Sequence, residues 1–286
     1  RASEAVETDM ILADLLTARG EPTDRRTLVA LATFETRRPD LSPPSAAPSS
    51  PITTLEEDRL WLRTPGKPVH PLADRVEEAA YQRLMAEDRE WTLADLVSEL
   101  TAEFHSVHSP EPALIRTIIE AYTTQDERVN LRIRGEDLPQ HRREEEQALR
   151  RQLIHLGRRL GYSPARRLSG DLVWREDRAV PYLFRFTATA LLAPHLLVAQ
   201  PRCDGRRCLV LPGGRAALVA LKLRRDPRLA HYVTDYRWTF IKYRHLRRMI
   251  DKIHERGEIE VYLGLDPIVE QQTAQIPLPL NVEARR

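Results

Sequence analysis

The stretch DLVWREDRAVPYLFRFTAT, residues 171–189, holds the side chains with the clearest chemical potential. It reads as two strands around the charged turn EDRAV. The first strand opens on Asp171, and the second carries Arg185 and, two residues on, Thr187. A hairpin centred near Arg178 sets positions whose numbers sum to 356 (twice 178) opposite one another. Leu172 then meets Phe184, Trp174 meets Tyr182, Val173 meets Leu183 and Asp171 meets Arg185. Leu172, Trp174, Tyr182, Phe184 and Phe186 share one face, and Val173 and Leu183 lie on the other, so the sheet is expected to be covered on both sides. An aspartate opposite an arginine has two uses. The pair can be a cross-strand salt bridge, or Arg185 can serve as a phosphate contact, because a guanidinium fork fits carboxylate and phosphate alike.

The second chemical feature is basic density. Residues 202–252 carry 14 Lys and Arg against 4 Asp and Glu, a net of +10. KLRRDPRL supplies Lys222, Arg224, Arg225 and Arg228, and KYRHLRR supplies Lys242, Arg244, Arg247 and Arg248. Arg215 precedes them, and Tyr232, Tyr236, Trp238 and Tyr243 are interleaved. Residues 1–150 hold 19 basic and 29 acidic residues, a net of −10, and residues 151–286 hold 25 and 13, a net of +12. The basic half can meet a nucleic acid, or it can dock on an acidic partner, residues 1–150 included.

These residues need elements to hold them. HRREEEQALRRQLIHLGRRL, residues 141–160, reads as a helix with Leu149, Leu153, Leu156 and Leu160 as a single apolar stripe and Gly161 as C-cap. The hairpin follows, then a short apolar helix in TATALLAPHLL, the buried strand CLVLPGG, a helix over RAALVALKLRRDPRL, the strand Trp238 to Lys242 and a helix from about Tyr243. The order is α-β-β-α-β-α-β-α. Cys203 and Cys208 flank DGRR and are expected to face each other across a hairpin as plain thiols. Two cysteines fit a reducing cytoplasm and fall short of the four ligands of a structural zinc site.

Upstream, residues 1–38 read as two helices, a helical hairpin or part of a helix-turn-helix, with Thr23 or Asp24 capping the second. Residues 39–71 read as a proline-rich linker, with five prolines between 39 and 51. Residues 72–140 give a helix over about 72–87, a second capped by Thr92 with Asp95 three residues on, a third opening at Ser109-Pro110-Glu111, and the alternating strand RVNLRIR. Arg132 and Arg134 on that strand are candidate backbone contacts, while the outward residues of the third helix, Glu111, Arg116, Thr117 and Glu120, are not basic. Three helices followed by a strand resemble a winged helix. Residues 141–270 form the α/β part and 271–286 a tail. No apolar run approaches the roughly 20 residues of a membrane span, so no membrane partner is expected. No phosphate loop GxxxxGK[ST], GxSxG or HExxH occurs.

DLVW followed by YLFRF, within this element order, resembles the PD-(D/E)xK nuclease domain over roughly residues 144–252. In active members of that family, an aspartate on one strand and the glutamate of Glu-x-Lys on the next hold Mg²⁺, which activates water for phosphodiester attack, and the lysine helps orient that water. Asp171 matches the aspartate. The Glu-x-Lys positions are occupied by Arg185, Phe186 and Thr187, neither ligand nor ammonium. Lys222 has Ala220 at the acid position, so no displaced motif exists there. Glu146 on the preceding helix is the one further acid available to Mg²⁺ if the domain were active. The phrases PLADRVEEAAYQRLM, LPGGRAALVALKLRRDPRL and TFIKYRHLRRM are similar to the region after the catalytic domain of large bacterial DNA methylases tied to phage defence, and a start at Arg1 fits an excised piece of such a protein.

The expected fold is therefore a multidomain α+β, α/β chain: a helical and winged-helix-like N-terminal part, then a restriction-endonuclease-like domain with a central mixed sheet. The expected function is a non-catalytic, DNA-interacting accessory region of a DNA modification or restriction system, without cofactor. Its partners would be DNA and a methylase domain or another subunit of that system. A metal-dependent endonuclease with a rearranged site and a protein-interaction scaffold are the alternatives.

Overall fold

The computed structural model describes residues 2–265 apart from 40, 42–43, 45–46, 65–69, 87–88 and 127–129, and the side chains from residue 5 onward. The expected tail at 271–286 and the first residues of RVNLRIR lie outside the described residues.

The N-terminal part comprises α1 (Ala2–Arg19), β1 (Thr23–Asp24), α2 (Arg25–Thr36), β2 (Ile52–Thr54) and β3 (Arg59–Leu62). Asp24 caps α2 by accepting from Thr27 N at 2.9 Å. The proline-rich stretch is not linker throughout. The strands β1, β3 and β2 form a small antiparallel sheet. Leu41, Ile52, Leu60 and Trp61 bury against Leu12, Leu16 and Leu28. β2 and β3 form on ITT and RLWL, two short segments without proline that bury apolar side chains.

The middle part runs α3 (Leu72–Met85), β4 (Trp91–Thr92), α4 (Leu93–Glu103), α5 (Pro112–Tyr122), β5 (Thr123–Gln125) and β6 (Asn130–Ile133). Its antiparallel strands are ordered β4-β6-β5. The Thr92 cap forms: its Oγ1 accepts from Asp95 N at 3.1 Å and donates to Asp95 Oδ2 at 2.7 Å. α5 starts two residues later than a cap at Ser109 implies. Pro112 is its first helical residue, and Ser106–His108 form a separate one-turn 3-10 helix.

The third part contains α6 (Pro139–Arg159), β7 (Ser163–Arg166), β8 (Leu172–Glu176), β9 (Ala179–Phe186), α7 (Ala193–Leu196), β10 (Arg206–Leu211), α8 (Ala216–Arg225), α9 (Pro227–Asp235), β11 (Trp238–Lys242), α10 (Tyr243–Lys252) and α11 (Glu258–Leu263). Five strands form one mixed sheet, β11-β10-β9-β8-β7. β7, β8 and β9 are antiparallel, and β9, β10 and β11 are parallel. The pairs Leu172–Phe184, Val173–Leu183 and Trp174–Tyr182 form as the turn implied, with an irregularity before Glu176–Ala179. β7 was not legible, being a four-residue edge strand containing Pro164, a residue that edge strands tolerate. The helix expected over 215–229 divides at Asp226-Pro227, where Asp226 caps α9. Cys203 and Cys208 do not oppose one another, because β10 pairs in parallel with both neighbours and closes no hairpin. Cys208 is buried in β10, while Cys203 donates from a loop to Val180 O at 3.3 Å.

The sheet is covered on both faces. Leu149, Leu153 and Leu156 of α6, with Leu246 and Met249 of α10, pack on Trp174, Phe184 and Phe186. Val173, Leu183 and Leu209 on the other face share one continuous buried cluster with Leu218 of α8 and with Leu72, Ile115, Ile118 and Tyr122 of the middle part. The middle part and the large sheet therefore have a common core. On the aromatic face α6 approaches closely at Gly157, where an added methyl would stand 2.7 Å from Trp174 Nε1 and 2.9 Å from Pro164 Cγ. Gly157→Ala is expected to cost about 1–3 kcal/mol, as overpacking does, read as a lowered urea midpoint. An unchanged midpoint would mean α6 is not seated on β8 as described.

Candidate functional site

Asp171 stands one residue before β8, in a tight turn. Gly170 has φ +87°, which only glycine adopts without strain. Gly170 N donates to Arg167 O, and Arg167 N donates to Asp171 O. The Asp171 side chain is buried, and Arg185 on β9 meets it edge-on. Arg185 Nε donates to Oδ1 at 2.8 Å and Nη2 to Oδ2 at 2.9 Å, while Ser169 Oγ donates to Oδ2 at 2.9 Å. This is the bidentate fork that gives an arginine–carboxylate pair both strength and geometry. Burial pushes the Asp171 carboxyl up, but the hydrogen bonds and charge of Arg185 outweigh it and hold the group below the usual carboxylate value. Arg185 also lies 5.5 Å from the Trp238 ring centre. It repels a proton on His195 of α7, whose pKa falls to about 4 through burial first and Arg185 second, so that imidazole is neutral near pH 7.

Glu146, the second acid considered for a metal, has an arginine of its own. Arg150 Nε and Nη2 reach Glu146 Oε1 at 2.9 and 2.6 Å, Arg150 Nη1 donates to Gly170 O, and its guanidinium stacks 4.4 Å over Phe186. Thr187 lies at the end of β9, where its Oγ1 accepts from Thr189 N at 3.2 Å. Mg²⁺ needs carboxylate oxygens free to face it. Both oxygens of Asp171 and one of Glu146 are already committed to guanidinium groups, so the residues present do not fit that ion. Among the described residues no group of three or more His, Cys, Asp or Glu is placed to hold a metal.

No family model matches the chain, and no curated protein or solved structure matches it. Among the described residues no helix is long and apolar enough to cross a membrane.

The basic residues divide sharply. Lys222, expected on a surface, is 1% exposed and lies between Asp74 and Glu77 of α3. Arg215 is equally buried, pairing with Asp137 at 2.7 Å and stacking 3.6 Å over Tyr122. Arg225 is buried between Glu21 at 2.8 Å and Glu111 at 2.7 Å. Lys242 is buried too. Arg228 pairs with Asp226 and stacks 3.8 Å over Trp61. Arg134 is half-buried and donates to the carbonyls of Ala121 and Glu120 at 3.1 and 2.8 Å. Arg132 is exposed but paired with Glu90 and Asp126, and Arg247 with Glu145. Arg224, Arg244 and Arg248 are exposed and carry no ion pair among the described residues. Lys222, Arg215 and Arg225 thus turn inward to the acidic half, so α8 does not present the basic face expected of it. The buried acids Asp74 and Glu77 were missed, although their signal was present: both lie on the face of α3 that also carries Ala73, Val76 and Ala80. Acids set among apolar residues at helical spacing imply a buried cation.

Proposed function

We propose that this chain is a non-catalytic, DNA-interacting accessory region of a DNA modification or restriction protein. The observation that carries the non-catalytic part is the bidentate Asp171–Arg185 pair. On this reading Asp171 corresponds to the acid that a nuclease of the PD-(D/E)xK type would direct at its metal, and the pair leaves that acid fully engaged. The order helix, three antiparallel strands, crossover and parallel strand, with the acid at the amino end of the second strand, supports descent from such a domain. The order α3-β4-α4-α5-β5-β6, with its three-stranded sheet, supports a winged-helix relationship for the middle part. Its third helix packs on α3 and α8 through Leu114, Ile115, Ile118 and Ile119, which favours a docking role over insertion into a major groove. DNA contact then falls to the exposed arginines of the third part.

A mobility-shift assay on duplex DNA at about 50 and about 200 mM salt, with and without Mg²⁺, tests both claims. Binding is expected to weaken steeply with salt, because each neutralised phosphate releases a counterion, and the DNA is expected to stay intact. A cleaved product that needs Mg²⁺ and vanishes in Asp171→Ala would replace this reading with an endonuclease. Absent or salt-independent binding would leave the chain a protein scaffold.

A further inference from the structure

The layer formed by α6 and α10 is strongly basic. α6 carries six arginines and three glutamates, net +3, and α10 carries three arginines, one lysine and one aspartate, net +3. The two helices pack side by side through Arg142, which lies 5.6 Å from the Tyr243 ring centre, and through Arg159, which donates to Ile253 O at 2.6 Å. Their apolar stripes face the aromatic side of the sheet, which turns the opposite stripes outward. On α6 that outward stripe is Arg151, His155 and Arg158, at i, i+4 and i+7, and on α10 it is Arg244, Arg248 and Lys252, at i, i+4 and i+8. All six are exposed. Unlike Lys222, Arg215 and Arg225, the five Arg and Lys side chains among them carry no ion pair with any of the described residues.

Two parallel rows of free cations on neighbouring helices suit a polyanion with regularly spaced charge. Residues 244 to 252 rise about 12 Å along a helix, a length over which duplex DNA presents about seven phosphates. Long flexible side chains on rigid helices, with no exposed Phe, Tyr or Trp ring on either helix, suit backbone phosphates and not bases. From this charge complementarity we infer that the outer face of α6 and α10 docks on the phosphate backbone of duplex DNA, without reading sequence. The inference rests on the reading of the chain as DNA-interacting, and it moves the contact to the face of the sheet opposite α8, where sequence density alone had put much of it.

The test is fluorescence anisotropy with a labelled duplex of mixed sequence over a salt series. It compares the intact chain with R151Q/R248Q and with R26Q/R178Q, which removes the same charge from exposed positions on α2 and on the β8–β9 turn. The outer-face double variant is expected to bind about 10-fold more weakly at low salt and to lose about two from the log–log salt slope. R26Q/R178Q should keep the slope of the intact chain. All four positions are exposed, and superimposable melting curves show that the fold is retained. If the intact chain binds but R151Q/R248Q keeps its slope, the face is wrong and the DNA reading stands. If the intact chain binds no DNA, both fall. Equal binding to poly-L-glutamate, lost in R151Q/R248Q, would assign the surface to acidic protein and overturn the DNA assignment.

Discussion

Replacing Lys222 by methionine is expected to destabilise the protein by about 3–5 kcal/mol, the usual result of removing one partner of a buried charge cluster. Lys222 Nζ donates to Asp74 Oδ1 at 2.5 Å, to Glu77 Oε2 and to Ala190 O at 3.0 Å, which uses all three of its protons. The two acids are committed elsewhere as well. Asp74 Oδ2 accepts from Leu192 N and Ala193 N at 3.1 and 2.9 Å and so holds the first turn of α7. Glu77 Oε1 accepts from Ala190 N at 2.7 Å and from the Tyr122 hydroxyl. Methionine fills a similar volume but leaves two carboxylates buried without a cation. Burial depresses the lysine pKa, but the charges of Asp74 and Glu77 outweigh it, so the folded value is raised. A raised value means the stabilisation is complete below the unfolded lysine pKa of about 10.4 and is lost only as pH climbs through the still higher folded value. The full effect is therefore present at pH 7. Urea midpoints at constant m-value measure it. The triple variant D74N/E77Q/K222M should recover much of the loss, since neutral groups of similar shape do not carry the desolvation penalty. A loss under about 1 kcal/mol in K222M would show that the cluster is open to water and does not tie α3 to α8.

That cluster also explains what the sequence could and could not convey. The β8–β9 register followed from one turn and from the alternation of large and small residues, both local signals, and the two-faced burial followed from the register. The α4 cap and the leucine stripe of α6 were local too. The fate of the cations was not. Lys222 lies one helical turn after Leu218, on the buried face of α8, and its partners are 148 and 145 residues earlier in the chain. Density of Lys and Arg says nothing about phase. Read by phase, Lys222 and Arg225 fall with Leu218, Val219 and Leu223, and only Arg224 faces out. The two halves of the chain are opposite in net charge. The structure shows part of that complementarity spent within the chain, at Asp74, Glu77, Glu21 and Asp137, and part left outward on α6 and α10.

The Asp171–Arg185 pair gives the second large effect, and it bears on history as well as stability. Asp171→Ala should cost about 2–3 kcal/mol, because Arg185, whose side chain is 15% exposed, loses a bidentate partner and stays mostly desolvated. The folded carboxyl titrates below its ordinary value. Its contribution is therefore complete above about pH 4 and is lost as pH falls through the folded value. The gap between the intact protein and Asp171→Ala should be full at pH 6 and should shrink as the solution is acidified towards pH 2. A gap that stays constant with pH would mean the variant is destabilised through packing and not through charge. If the arginine replaced a metal, reversing the replacement should admit one. In R185E/T187K the guanidinium fork is gone, a second carboxylate faces Asp171 across β8 and β9, and an ammonium stands two residues on. Mg²⁺ at about ten times its dissociation constant would then stabilise the variant by about 1.4 kcal/mol, seen as a rise in melting temperature, with no such rise in the intact protein. If neither protein responds to Mg²⁺, the pair is an ordinary cross-strand salt bridge, and the geometry around Asp171 was never that of a metal site.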